Sequence, residues 1–168
     1  MNAALTMSGA TVSIAVLAIN IRSWWKGNRE IKSLLPFGGG MIQGASWTLC
    51  VGGLLGWVAV STASAGSSAG DWGVSRVTGT NGAGTLTAGS MGVLTPAGAC
   101  VVVAALIVGA VMLKAAGKAD KKRIAGGLFV GLTLSATAGF AQLMQWLPDA
   151  YNALGAGAAD VLNGVLPL

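Results

Sequence analysis

Four stretches of this chain, at residues 3–21, 39–62, 91–113 and 124–147, contain no Lys, Arg, Asp or Glu. Each has roughly the 20 apolar residues that a helix rising 1.5 Å per residue needs to cross about 30 Å of hydrocarbon. Hydrophobic residues make up 54% of the chain and charged residues 9%, whereas about a quarter of a soluble domain is charged. The pattern predicts an all-α integral membrane protein with about four transmembrane helices. At 168 residues the chain has no room for a further globular domain of ordinary size.

The charges between the stretches set an orientation. Arg22, Lys26, Arg29, Lys32 and Glu30 lie between the first two, and Lys114, Lys118, Lys121, Lys122, Arg123 and Asp120 between the last two. The middle connection holds only Asp71 and Arg76, and the C-terminal segment only Asp149 and Asp160. Short loops rich in Lys and Arg stay on the cytoplasmic side. The expected arrangement is therefore two helical hairpins, each with a basic cytoplasmic turn. A first transmembrane hairpin spans 1–66, a glycine-rich outside loop 67–90, a second hairpin 91–147 and a short C-terminal tail 148–168. The N-terminus, middle loop and C-terminus fall outside in a multi-pass membrane protein. Trp24, Trp25 and Trp146 lie at span ends, where amphipathic rings sit at headgroup level.

The cluster "KAAGKADKKR" first of all anchors this topology. Lys114, Lys118, Lys121, Lys122 and Arg123 also have the charge to meet anionic phospholipid or an anionic polymer, with nucleic acid entering only as transported cargo.

Each second helix carries small residues at spacing four: Gly40, Gly44, Thr48, Gly52 and Gly56 in one, Gly127, Gly131, Ser135 and Gly139 in the other. Positions four apart share a helix face, and a face without side chains lets a neighbouring backbone approach closely. These faces predict helix packing, including packing in a homo-oligomer. The two halves share a plan, helix, basic turn, helix, without an evident residue-by-residue repeat.

Catalysis is not expected. The chain has no His, and no acidic or basic group lies inside a span, which leaves acid–base, metal and ion-coupled transport chemistry without their usual groups. No cofactor is implied. Cys50 and Cys100 sit in apolar spans as small hydrophobic thiols.

The stretch "GLLGWVAVSTASAGSS" ends its apolar run in Ala63-Ser64-Ala65 and so has the look of a secretory signal end, with cleavage after Ala65; a helix end rich in small residues is the simpler reading. From "ASAGSSAGDW" through the two apolar segments flanking "KAAGKADKKR", residues 63–147 resemble the pilin family of conjugative type IV secretion systems. That resemblance implies a leader ending in small residues, two packed helices and a basic cytoplasmic turn. The first expectation is thus a structural subunit of a membrane-embedded multi-subunit assembly, pilin-like or part of a conjugation or secretion channel, with other subunits and lipids as partners. The alternatives are a phage-encoded membrane protein, either a holin-like pore former or a virion membrane component, and a small channel or transporter.

Overall fold

The computed structural model describes residues 5–27, 29–80 and 84–164. The described residues are helical, with no strand beyond two isolated bridges. In chain order the helices are α1 (Met7–Lys26), α2 (Ile31–Thr48), α3 (Gly53–Thr78), α4 (Pro96–Ala115), α5 (Lys118–Leu134), α6 (Ala138–Leu143) and α7 (Trp146–Leu162).

The first and third apolar stretches form the single helices α1 and α4, and both begin in the same way. Thr6 caps α1 by accepting from the Gly9 N–H at 3.2 Å, and Thr95 caps α4 by accepting from the Gly98 N–H at 3.1 Å. A threonine oxygen at this position satisfies one of the N–H groups that the first helical turn leaves unpaired.

The second and fourth stretches are not single helices. Residues 39–62 break after Thr48, and α3 leaves α2 at 112°. Gly52 and Gly53 make the corner with φ of +92° and +68°, a backbone region closed to most side chains. Residues 124–147 break after Leu134 and again after Leu143. The segment expected as an outside loop is helical as far as Thr78, and much of the expected tail is α7. The expected hairpins also differ from what forms: α4 lies chiefly against α7, and α1 chiefly against α3 and α5, while α2 and α5 form the principal helix pair.

The α2–α5 crossing explains four of the glycines. A Cβ on Gly40 would overlap the Ile124 carbonyl, and one on Gly44 the Leu128 carbonyl. Reciprocally, a Cβ on Gly127 would overlap the Phe37 carbonyl, and one on Gly131 the Met41 carbonyl. Residue numbers rise together along the contact, so the two helices run parallel. The backbones touch because no side chain separates them.

The reciprocity reveals a duplication that the sequence hides. Pairing Gly40 with Gly127 and Gly44 with Gly131 also pairs Phe37 with Ile124 and Met41 with Leu128, so each glycine meets the counterpart of the residue its own counterpart meets. The outer helices obey the same rule. The Thr6 N–H donates to Ser67 Oγ of α3 at 3.2 Å, and the Thr95 N–H donates to Asn152 Oδ1 of α7 at 2.8 Å. Three residues on, Gly70 lies against Ser8 and Gly9, and Gly155 against Ala97 and Gly98. The chain follows one plan twice, α1–α2–α3 and α4–α5–α6/α7, and the reciprocal contacts at the α2–α5 crossing are those of an approximate pseudo-twofold axis. Their first helices align as "LTMSGATVSIAVL" and "LTPAGACVVVAAL".

The interior mixes apolar side chains such as Leu5, Phe37, Val130, Leu132 and Leu147 with several hydroxyls. Ser8, Ser13, Ser46, Ser67, Thr133 and Ser135 are buried, and Ser13 and Thr133 bond to each other at 2.7 Å. Other large apolar side chains such as Ile14, Ile19, Leu35, Ile107, Val111 and Leu154 face outward. Residues 84–95 are tied across the end of the molecule where α1 begins. Met7 N–H donates to Gly84 O and Leu86 N–H to Leu5 O, while Gly89 N–H reaches Ala136 O and Ala138 N–H reaches Thr87 O.

Asn152 fastens this connection to α7 with three bonds, accepting from the Thr95 N–H and hydroxyl and donating to Val93 O at 3.1 Å. Asn152→Ala should lower unfolding stability by about 2–3 kcal/mol, since each lost bond contributes on the order of 1 kcal/mol. Ser67→Ala, which removes one bond to the Thr6 N–H, should cost about 1 kcal/mol. Chemical denaturation of the detergent-solubilised chain measures both, and equal effects would contradict the bond-by-bond account.

Candidate functional site

Two features stand out from the packed helices: a basic end and a cavity at the first helix break. The basic end collects both turns. Because α2 and α5 run parallel, their N-termini lie together, and Arg123 Nη1 donates across to Ser33 O of α2 at 3.2 Å. Arg123 also pairs with Asp120 at 3.4 Å, one helical turn away. The guanidinium of Arg29 stacks 4.7 Å from the Trp25 ring centroid, and Trp24 Nε1 donates to Glu30 O. Lys114, Lys118, Lys121 and Lys122 are exposed and Arg123 is half-buried. Four of the five therefore present free ammonium groups, while the fifth joins the two halves. Nine of the chain's 10 Lys and Arg residues lie at this end, with Glu30 and Asp120 the only acids among them. Arg76 is elsewhere, stacked on Trp72 in α3.

The nine small residues at spacing four divide by location; Thr48 ends α2 at the cavity described below. Gly40, Gly44, Gly127 and Gly131 meet within the chain at the α2–α5 crossing, so this face is used internally rather than between copies. Gly52 forms the corner after α2, and Gly56 lies against the Cys50 carbonyl of the same corner. Ser135 ends α5 and is buried. Gly139 has open space beside it. Sequence reasoning missed the other close crossings, made by Gly9 and Gly70 between α1 and α3 and by Gly98 and Gly155 between α4 and α7. The signal available for them was the repeated Leu-Thr-x-x-Gly-Ala at residues 5–10 and 94–99.

The cavity, of about 660 Å³, opens where α2 ends and α3 begins. Its walls include Thr48, Cys50, Gly56, Ala63, Ser90 and Ser135, and no charged residue lines it. It thus lies between the first repeat's corner, the connection and the C-terminal end of α5. The Ser135 side-chain oxygen is buried without a hydrogen-bond partner. Among the described residues no group of His, Cys, Asp or Glu could hold a metal ion.

Comparisons with protein-family models, with curated proteins and with solved structures find no match. The reading of this chain therefore rests on its own geometry: a duplicated helical unit, one charged end, and one hollow corner.

Proposed function

We propose that this chain is a multi-pass membrane protein and a structural, non-catalytic subunit of a membrane-embedded assembly. The observation that carries the reading is α4, a 20-residue apolar helix of whose most apolar window only 11% is buried. A core helix of a soluble protein has most of its surface covered. Here Val103, Ile107, Val108 and Val111 are exposed beside one another on successive turns, and water is a poor solvent for such a face. The glycine-mediated backbone contacts of α2 with α5 and the Ser13–Thr133 hydrogen bond fit the same reading, since helices in lipid associate through close backbone contact and interhelical hydrogen bonds. Each repeat contributes one continuous helix, α1 or α4, and one interrupted segment, α2–α3 or α5–α6–α7; among the described residues α4, and α2–α3 taken as one bent span, are long and apolar enough to cross a membrane, rather than the four spans expected. The basic end lies in the cytoplasm, where its ammonium groups meet anionic headgroups.

A second reading, passage or binding of a small molecule, is favoured by the corner cavity, because interrupted helices in corresponding positions of two repeats are where membrane proteins commonly place solute sites.

Cys100 tests the assembly. It is a free, exposed thiol on α4, so in a Cys50→Ser background, oxidation of native membranes should yield a disulfide-linked dimer if α4 faces another copy. Single cysteines at Thr80 and Lys121 add the topology, with outside reagent expected to label the first and spare the second. A monomer under every oxidising condition sinks the homo-oligomer. Release of the protein by alkaline carbonate sinks the membrane reading.

A further inference from the structure

The two halves differ in one place that packing alone does not explain. Around the second break, Ala45, Leu49, Met91, Ala141 and Leu147 form a buried cluster, closed by Met144 and Tyr151. The pseudo-twofold axis carries Ala45 and Leu49 onto Leu132 and Ala136, and those two residues line the cavity at the first break. It carries Met144, Leu147 and Tyr151 onto Ala59, Thr62 and Gly66. Of these three, Ala59 borders the cavity, so the place that Met144 fills in one half is left open over an alanine in the other, while Gly66 packs against Thr133 and Phe129.

The polar groups differ in the same sense. Thr48 Oγ1 donates to the Ala45 carbonyl at 2.7 Å, whereas its counterpart Ser135, 3% exposed, has a hydroxyl with no partner. A buried hydroxyl without a hydrogen bond is costly and marks a place where a partner belongs. We infer that the cavity at the first helix break is a binding site for a small uncharged amphiphile, a molecule with one hydroxyl or carbonyl on an apolar body. The volume lies within the range of small-molecule sites. The lining is mainly apolar and uncharged, so an ionised ligand would lose its hydration without a counter-charge. Ser135 supplies the hydrogen bond that fixes the polar end. The apolar body lies along Ala59, Val60 and Ala63 of α3.

This inference stands apart from the assembly reading, since a monomer would hold the same site. The probe is a diazirine-bearing dodecanol, photolysed with the purified full-length chain in detergent, with octanol, octanoate and octylamine as competitors. Label is expected within 48–63 and 132–136, displaced by octanol at least about tenfold more effectively than by either charged compound, a preference of about 1.4 kcal/mol. Ala59→Met, which installs the residue of the filled half, should abolish that label. Ser135→Ala should reduce it about fivefold while leaving the apolar walls in place. Thermal melting of each variant separates a lost site from a lost fold. Label confined to the outer face of α4, equal competition by the charged compounds, or full labelling of a well-folded Ser135→Ala chain would each overturn the site.

Discussion

Gly127→Leu and Gly131→Leu should each prevent the chain from reaching its native fold, whereas Gly139→Leu should leave it nearly unchanged. At the first two positions even a Cβ would overlap a carbonyl oxygen of α2, and the neighbouring Met41 and Ala45 amide nitrogens lie about as close as 3.0 Å to where it would sit. The obstacle is backbone on a helix that is itself locked by Gly40 and Gly44, so no rotamer change can make room. Overpacking a core ordinarily costs about 1–3 kcal/mol, when side chains can yield. Here two helices must separate along their whole contact, forfeiting the Cα–H···O contacts of roughly 0.5–1 kcal/mol each that close helix pairs make. The expected cost exceeds about 3 kcal/mol, a large part of the stability of a typical domain. Gly127→Ala should already be strongly destabilising. Gly139 has nothing within 4 Å, which makes it a control of the same residue type in the same stretch. Yield and melting temperature in detergent read the result, and a Gly131→Leu chain that melts like wild type would refute the crossing.

How much of this was legible in the sequence depends on the kind of signal. Charge was informative because it is discrete: Arg22 to Lys32 and Lys114 to Arg123 name two turns, and the structure joins them through Arg123 and Ser33. Spacing four identified Gly40, Gly44, Gly127 and Gly131 as a packing face, but could not say that the two faces meet each other rather than a second copy. The breaks were hidden because hydropathy averages across them. "LCVGGLLGW" remains apolar through the corner, and only the adjacent Gly52 and Gly53 betray a backbone with positive φ. The helix α7 was hidden for a related reason: Ala and Gly in "YNALGAGAADVL" give little apolar weight, although Gly155 is the contact point with α4.

The duplication was harder still. Counterparts are 89 residues apart in the first helices (Gly9 and Gly98), 87 in the second (Gly40 and Gly127) and 85 in the third (Gly70 and Gly155). No single register aligns all three, and what is shared is mostly glycine and alanine, which are abundant throughout. The cavity followed from the same hidden symmetry. Ala59 looks unremarkable until Met144 is known to occupy its counterpart position.

Cutting the chain between Thr80 and Gly84 should give two pieces that fold only together. Each piece contains a complete unit, yet the principal contact of the molecule lies between the units, on α2 and α5. A single piece would leave Gly40 and Gly44, or Gly127 and Gly131, as an open backbone groove. It would also lose the Ser13–Thr133 hydrogen bond and the bonds that tie residues 84–89 to both halves. Parallel helices with Gly-x-x-x-Gly faces are competent to associate without a covalent link, so what the cut removes is chiefly effective concentration. Co-expressed pieces carrying different affinity tags should therefore copurify, and the complex should resist proteolysis as the intact chain does. Either piece alone should be degraded or form a homodimer, because the crossing is pseudo-symmetric and Gly40 can meet another copy's α2 much as it meets α5. Gly127→Leu in the second piece should abolish copurification. If instead both pieces are stable monomers that ignore each other, the α2–α5 contact is not what holds the fold together, and the two repeats are independent domains.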